Sequence, residues 1–201
     1  MAFLIDGSDN VRADFPYIRD FILKVIEPLD IGLDKVRISV VQQSERPTAN
    51  FYLNTYQNKD EVLRAVNALT PAGGRTLNTG VALKFMKDTI LSDKHGSRAA
   101  KNVPQFMIVL SGSKSKDSVK ESAVALKTDG VVPFGVGVKD ADRKQIEAIS
   151  HNPSFAFNVK DFSELSTIPQ KLNSYVSLPK EQLKEVLLKG KTKPISFRVL
   201  I

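Results

Sequence analysis

The sequence predicts an α/β fold: a doubly wound, mostly parallel sheet with one antiparallel edge strand and helices on both faces. Three observations point there. Apolar runs of strand length alternate with segments of helical period along the chain, the pattern of crossover units. Residues 106–110 and 131–138 are continuous apolar runs, expected of strands buried on both faces. Only about eight residues separate an apolar run at 36–41 from a short one at 50–54, too few for a crossover helix, so that pair runs antiparallel.

Each element has a local reason. The first strand covers residues 2–5. Asp14 caps the helix that follows, Pro16 sits in its first turn, and Phe15, Ile18, Ile22, Val25, Ile26 and Leu29 keep a 3.6 period. After the strand pair, Asn58 and Glu61 make a capping box ahead of Val62, Leu63, Val66 and Leu69. A glycine-bearing loop leads into a helix over 81–91, then the buried strand 106–110. Ser118 and Glu121 cap the next helix. Strand 131–138, a short helix over 140–149 and an edge strand at 155–159 continue the alternation. Leu165, Ile168, Leu172 and Val176 share a face of the next helix, which starts near Thr167 because Pro169 belongs in a first turn. Pro179 ends it. Residues 180–189 form a further short helix stopped by Gly190, and 195–201 alternate like a strand. The chain thus divides into a domain over 1–178 and a basic extension or interdomain linker over 179–201. An opening that enters a strand at once reads as a domain taken from a longer protein.

Composition excludes several functions. The 201 residues, 42% hydrophobic and 25% charged, suffice for an ordinary globular core. There is no cysteine, which rules out disulfides, cysteine zinc sites and thiol catalysis. Two histidines, His95 and His151, both in polar loops, leave little material for imidazole metal sites or a Ser-His-Asp triad. Of the net charge of +7, Lys180, Lys184, Lys189, Lys191, Lys193 and Arg198 against Glu181 and Glu185 account for +4. The basicity is therefore a property of the tail, which argues against nucleic acid and leaves anionic partners such as glycosaminoglycans open. No apolar run reaches the roughly 18 residues of a membrane span.

Ligands of an open parallel sheet bind outside the carboxyl ends of its strands. Three loops lie there: Asp6-Gly-Ser-Asp-Asn10, Gly73-Gly-Arg-Thr-Leu-Asn-Thr-Gly80 and Ser111-Gly-Ser-Lys-Ser-Lys-Asp117. None has the glycine and lysine spacing of a phosphate loop or a dinucleotide fingerprint, so a nucleotide role has no support.

Phe3-Leu-Ile-Asp-Gly-Ser8 followed by the Gly73–Gly80 loop and Val81-Ala-Leu83 resembles the von Willebrand factor type A domain, over residues 2–176. The Thr-Leu-Asn-Thr-Gly form of the second loop is most similar to the repeated A domains of collagen VI, the amino-terminal array of its alpha-3 chain above all. In that family the three loops hold magnesium or manganese at a metal-ion-dependent adhesion site: D-x-S-x-S from the first, a threonine from the second, an aspartate from the third. Magnesium takes about six hard oxygen ligands at about 2.1 Å, and a carboxylate of the partner protein can replace a water.

Carried across residue by residue, the resemblance implies a damaged site. Asp6 and Ser8 match, Asn10 stands where the last serine belongs, and Thr76 matches the threonine. Gly112 replaces the aspartate of the third loop. Arg75, Lys114 and Lys116 add positive charge to the same loops. A lost acid and added cations predict weak Mg²⁺ or Mn²⁺ binding or none; Asp6, Ser8 and Thr76 then serve as a hydrogen-bonded tie between loops. The function implied is non-catalytic protein–protein interaction in a secreted, extracellular matrix assembly. Its partners would be matrix proteins and neighbouring A domains of the same chain. Two alternatives stay open. One is a glycosaminoglycan-binding module working through the basic tail. The other is a small magnesium-dependent α/β enzyme using Asp6, which needs a second acid or a lysine where the third loop offers glycine and serines.

Overall fold

Burial sorts the strands before any pairing is considered. In a computed structural model, which describes residues 1–188, the strands β1 (Ala2–Asp6), β2 (Ser39–Gln43), β4 (Gln105–Ser113) and β5 (Val131–Asp140) are buried along most of their length. The two short strands β3 (Thr48–Phe51) and β6 (Ala156–Val159) are not, and they form the edges. The sheet order is β3-β2-β1-β4-β5-β6, parallel throughout except for β3, which runs antiparallel to β2. This is the predicted architecture.

Side chains of successive strand residues point to opposite faces, so each strand feeds two cores. Phe3, Ile5, Ile108, Leu110, Phe134 and Val136 face the layer built by α1 (Phe15–Ile26), α2 (Lys59–Asn67) and α6 (Pro169–Val176). Ala2, Leu4, Met107 and Val109 face α3 (Thr79–Phe85), α4 (Lys120–Thr128) and α5 (Arg143–Ile149). The strand order reverses between the parallel neighbours β1 and β4, which leaves a switch-point crevice at the carboxyl end of the sheet.

Several boundaries differ from the sequence expectation, each for a local reason. Residues 36–38 stay outside β2, because a turn intervenes in which the Gly32 N–H donates to the Val36 carbonyl at 3.1 Å. The strand instead runs on through Gln42 and Gln43, whose side chains are buried with partners. β3 starts at Thr48 and stops at Phe51, since residues 52–55 turn, with the Tyr52 N–H donating to Thr55 Oγ1 at 2.8 Å. The helix expected over 81–91 begins two residues earlier and passes at Met86 into a π-helical turn, Met86–Ile90, which buries both end residues. A 3₁₀ segment, Phe162–Thr167, precedes α6, leaving Pro169 as its first residue.

A seventh helix, α7 (Lys180–Leu188), buries Leu183 against the first core, with Val186 and Leu187 partly covered beside it. Lys189, Gly190 and the strand expected at 195–201 lie outside the described residues. No helix among the described residues is long and apolar enough to cross a membrane.

Candidate functional site

The crevice is built by the loops that leave the carboxyl ends of β1 and β4 and by the loop that joins α2 to α3. At its floor Asp6 is fully buried. Its Oδ1 accepts from the Ser8 N–H at 2.9 Å and from the Ser8 hydroxyl at 2.7 Å, and its Oδ2 accepts from the Gly112 N–H at 2.9 Å. Burial pushes the Asp6 carboxyl above its ordinary value of 3.8, overriding these three hydrogen bonds, which pull the other way. Asn10 turns its amide across the crevice, Nδ2 donating to Ser113 Oγ at 3.1 Å.

The resemblance assigns the third-loop acid to the position of Gly112, and here the space is taken. A Cβ at this position would stand 2.8 Å from Val11 Cγ1, 3.1 Å from the Phe162 ring and 3.4 Å from Asp6 Oδ2. The loop therefore closes directly onto the Asp6 carboxylate by its backbone.

A second network, which the sequence pattern did not show, continues from β2. Gln43 is fully buried; its Nε2 donates to the Leu110 carbonyl and to Ser111 Oγ, both at 3.0 Å, and its Oε1 accepts from Thr79 Oγ1 at 2.6 Å. The Thr79 N–H donates to Ser115 Oγ at 3.0 Å, and Ser115 Oγ donates to Asp117 Oδ1 at 2.6 Å. Asp117 in turn accepts the Gly80 and Val81 N–H groups at 2.7 and 2.8 Å. It thus caps α3 from another loop, supplying the acceptor that Asn78 at the N-cap position does not. The only hint in the sequence was an adjacent polar pair, Gln42-Gln43, at the end of an apolar strand.

The structure brings Asp6, Ser8 and Asn10 together with Gly112 and Ser113, and leaves the other expected residues outside. Thr76 is half-buried, and its hydroxyl makes no hydrogen bond among the described residues; the threonine tied into the crevice is Thr79. Arg75 is exposed, with its N–H donating to Glu45 Oε1 at 3.0 Å. Lys114 turns away to Asp142 Oδ2 at 3.6 Å, and Lys116 is exposed. Asp9 pairs with Arg12 at 3.2 Å. Among the described residues no group of three or more His, Cys, Asp or Glu side chains is placed to hold a metal.

A six-stranded sheet of this order, with loops drawn together over a buried Asp-x-Ser motif, defines a class of α/β adhesion-type domains. The chain belongs to the von Willebrand factor type A domain family, whose model matches residues 1–171. It is 34% identical over 176 residues to the mouse collagen alpha-4(VI) chain, covering 86% of this chain and 7% of that one. It is 35% identical to the collagen alpha-1(XII) chain of Notophthalmus viridescens, over 88% of this chain and 19% of that one. Mouse matrilin-2 is 30% identical over 84% of this chain and 18% of its own length. The chain thus spans less than a fifth of each of these relatives. Among solved structures, proximal thread matrix protein 1 from the mussel byssus matches with a TM-score of 0.81 and 21% identity, over 85% of this chain and 46% of that one, a likeness of fold. One form of that protein is described with zinc occupying its adhesion-site motif. Like the A domains of the collagen and matrilin members, this one is a non-enzymatic module.

Proposed function

We propose that this domain is a protein–protein interaction module of a secreted extracellular matrix assembly, joining matrix proteins and neighbouring A domains, with a degenerate cation site. The observation that carries the reading is the closure of the crevice on Asp6. Both carboxylate oxygens are taken by protein donors, Gly112 has no side-chain oxygen to contribute, the Asn10 amide is directed to Ser113, and Thr76 stands outside the network. Magnesium needs about six hard oxygens in near-octahedral array. These residues do not fit that ion. The same closure leaves no second acid or lysine beside Asp6 for phosphoester chemistry among the described residues. The likeness to collagen and matrilin chains supports the matrix setting.

Calorimetric titration of Mg²⁺ and Mn²⁺ tests the site, with little or no heat expected and a melting temperature indifferent to EDTA. A bound ion at a hundredfold excess over its dissociation constant would add about 2.7 kcal/mol, so a shift of several degrees overturns the degenerate-site reading. Retention on immobilised decellularised matrix, with and without EDTA, tests the interaction reading. Absence of retention in both buffers overturns it. Exposed Lys180 and Lys184 on α7, ahead of further tail lysines, support a second anionic partner, a glycosaminoglycan. Heparin retention lost on removal of residues 180–201 checks that reading.

A further inference from the structure

The carboxyl ends of β5 and β6 part around an open cleft of about 480 Å³ that the crevice network does not use. Gly137 forms part of its wall, in register with Asn158 on β6. A Cβ at 137 would lie 2.6 Å from Asn158 Oδ1 and 2.9 Å from Ile146 Cγ1, so glycine is what allows α5 and the Asn158 amide to approach there.

Three cations line this cleft: Lys139, Arg143 and Lys160. Lys139 has Asp14 at 3.5 Å, whereas the side chains of Arg143 and Lys160 make no ion pair among the described residues. Glu164 is the one acid among the lining residues, and its Oε2 is turned to the Lys160 N–H at 3.4 Å. One feature runs against what folding alone favours. Lys139 holds a left-handed backbone, φ 55°, which a long side chain rarely adopts and which concentrates at functional positions. Its ammonium lies 5.8 Å from the centroid of the Phe162 ring. Asp142 caps α5, its carboxylate accepting from the Lys144 and Gln145 N–H groups, and Arg143 follows as the first helical residue. Sites where a local backbone rule is broken are where function is sought.

We propose that this cleft receives the carboxylate of a glutamate or aspartate from an extended acidic segment of a partner protein, with Arg143 and Lys160 as its principal cations. The guanidinium fork of Arg143 suits a planar carboxylate. β6 ends the sheet among the described residues, so an extended segment can lie along that edge and turn an acidic side chain inward. A sulfated sugar chain fits less well, because the cations converge on one concavity instead of forming a track. The inference rests on the interaction-module reading, but through residues that the cation titration does not sense.

The test is a ¹⁵N-amide titration of the domain with an acetylated, amidated octapeptide of alternating Glu and Thr, alongside its Gln–Thr twin and a heparin hexasaccharide. The Glu peptide is expected to shift amides of 137–143 and 158–164 saturably, and the Gln twin to leave them in place. Arg143→Gln with Lys160→Gln is expected to weaken the Glu peptide about tenfold or more, and Glu164→Gln to tighten it a few-fold, both less so in high salt. All three residues are exposed, and retained amide dispersion checks the fold of each variant. Equal binding of the Gln twin, shifts confined to other loops, or no shift at millimolar peptide overturns the proposal. So does a hexasaccharide that titrates the cleft when the Glu peptide does not. A domain retained on matrix in EDTA that ignores the peptide loses this inference alone.

Discussion

Two hollows open at the same end of one sheet, and they are furnished in opposite ways. In the crevice between β1 and β4 the polar groups face one another: Asp6, Ser8 and the Gly112 N–H form one closed set, and Gln43, Thr79, Ser115 and Asp117 form another. In the cleft between β5 and β6 the charges face water, and two of the three cations have no acidic partner among the described residues. The topological switch point marks where a crevice must exist, because the strand order reverses there. It does not fix what fills it. Once the loops have spent their donors on one another, the crevice is a structural joint, and recognition is left to a neighbouring pair of loops that the topology does not single out.

The contrast can be broken most forcefully at Gly112. This glycine is not at positive φ, so what keeps a side chain out is contact with Val11 and Phe162, not backbone strain. Gly112→Asp, even with Asn10→Ser, is therefore expected to cost about 3 kcal/mol or more through overpacking and a second buried carboxylate beside Asp6. Denaturant unfolding with and without Mg²⁺ decides; recovery of stability by the ion would show a working site merely missing its acid. Next in size is Asp117→Ala, which strips two N–H groups of their acceptor at the start of α3. About 1–2 kcal/mol should be lost, with hydrogen exchange rising first at amides 79–82.

Acidity gives a subtler test. Because the folded-state carboxyl of Asp6 titrates above 3.8, the native state holds a proton that the unfolded chain has already released. Its contribution is thus fully present at and below the unfolded value and is lost as pH rises through the raised folded value. Asp6→Asn should remove that downward slope, whatever constant cost the amide brings, in urea unfolding carried out across a pH series starting near 3.8. An unchanged slope would mean that the crevice is wetter than its burial indicates. At the small end, Arg143→Gln is expected to change stability by less than about 0.5 kcal/mol, as befits an exposed side chain kept for contact with something else. A larger loss would make the cleft another structural joint.

The large-scale fold was legible because it follows from apolar patterning. Residues 106–110 and 131–138 announce central strands by themselves, and the short spacing between β2 and β3 dictates their antiparallel pairing. Polar burial was not legible. Gln43 looks like a loop residue until Leu110 and Ser111, 67 and 68 positions away, supply its partners. The missing acid at Gly112 could be read from the motif, but the reason it cannot simply be restored lies in Val11 and Phe162, which no motif mentions. Thr76 and Thr79 stand three apart in one loop, and which hydroxyl turns inward depends on where Gln43 ends. The cleft cations come from a strand end, a helix start and a loop, with no common spacing to mark them.

Asp117 also sets an order of events. It caps a helix turn that begins 37 residues before it, at Gly80. During synthesis the amino end of the chain emerges first, so α3 leaves with its opening amides unanswered. They find their acceptor only when β4 has emerged, joined β1 in the sheet and carried its following loop back across the crevice. The start of α3 is thus a late seam in the making of the domain. A chain stalled between those two points would display a helix fraying at its amino end, within reach of any protease that samples nascent protein.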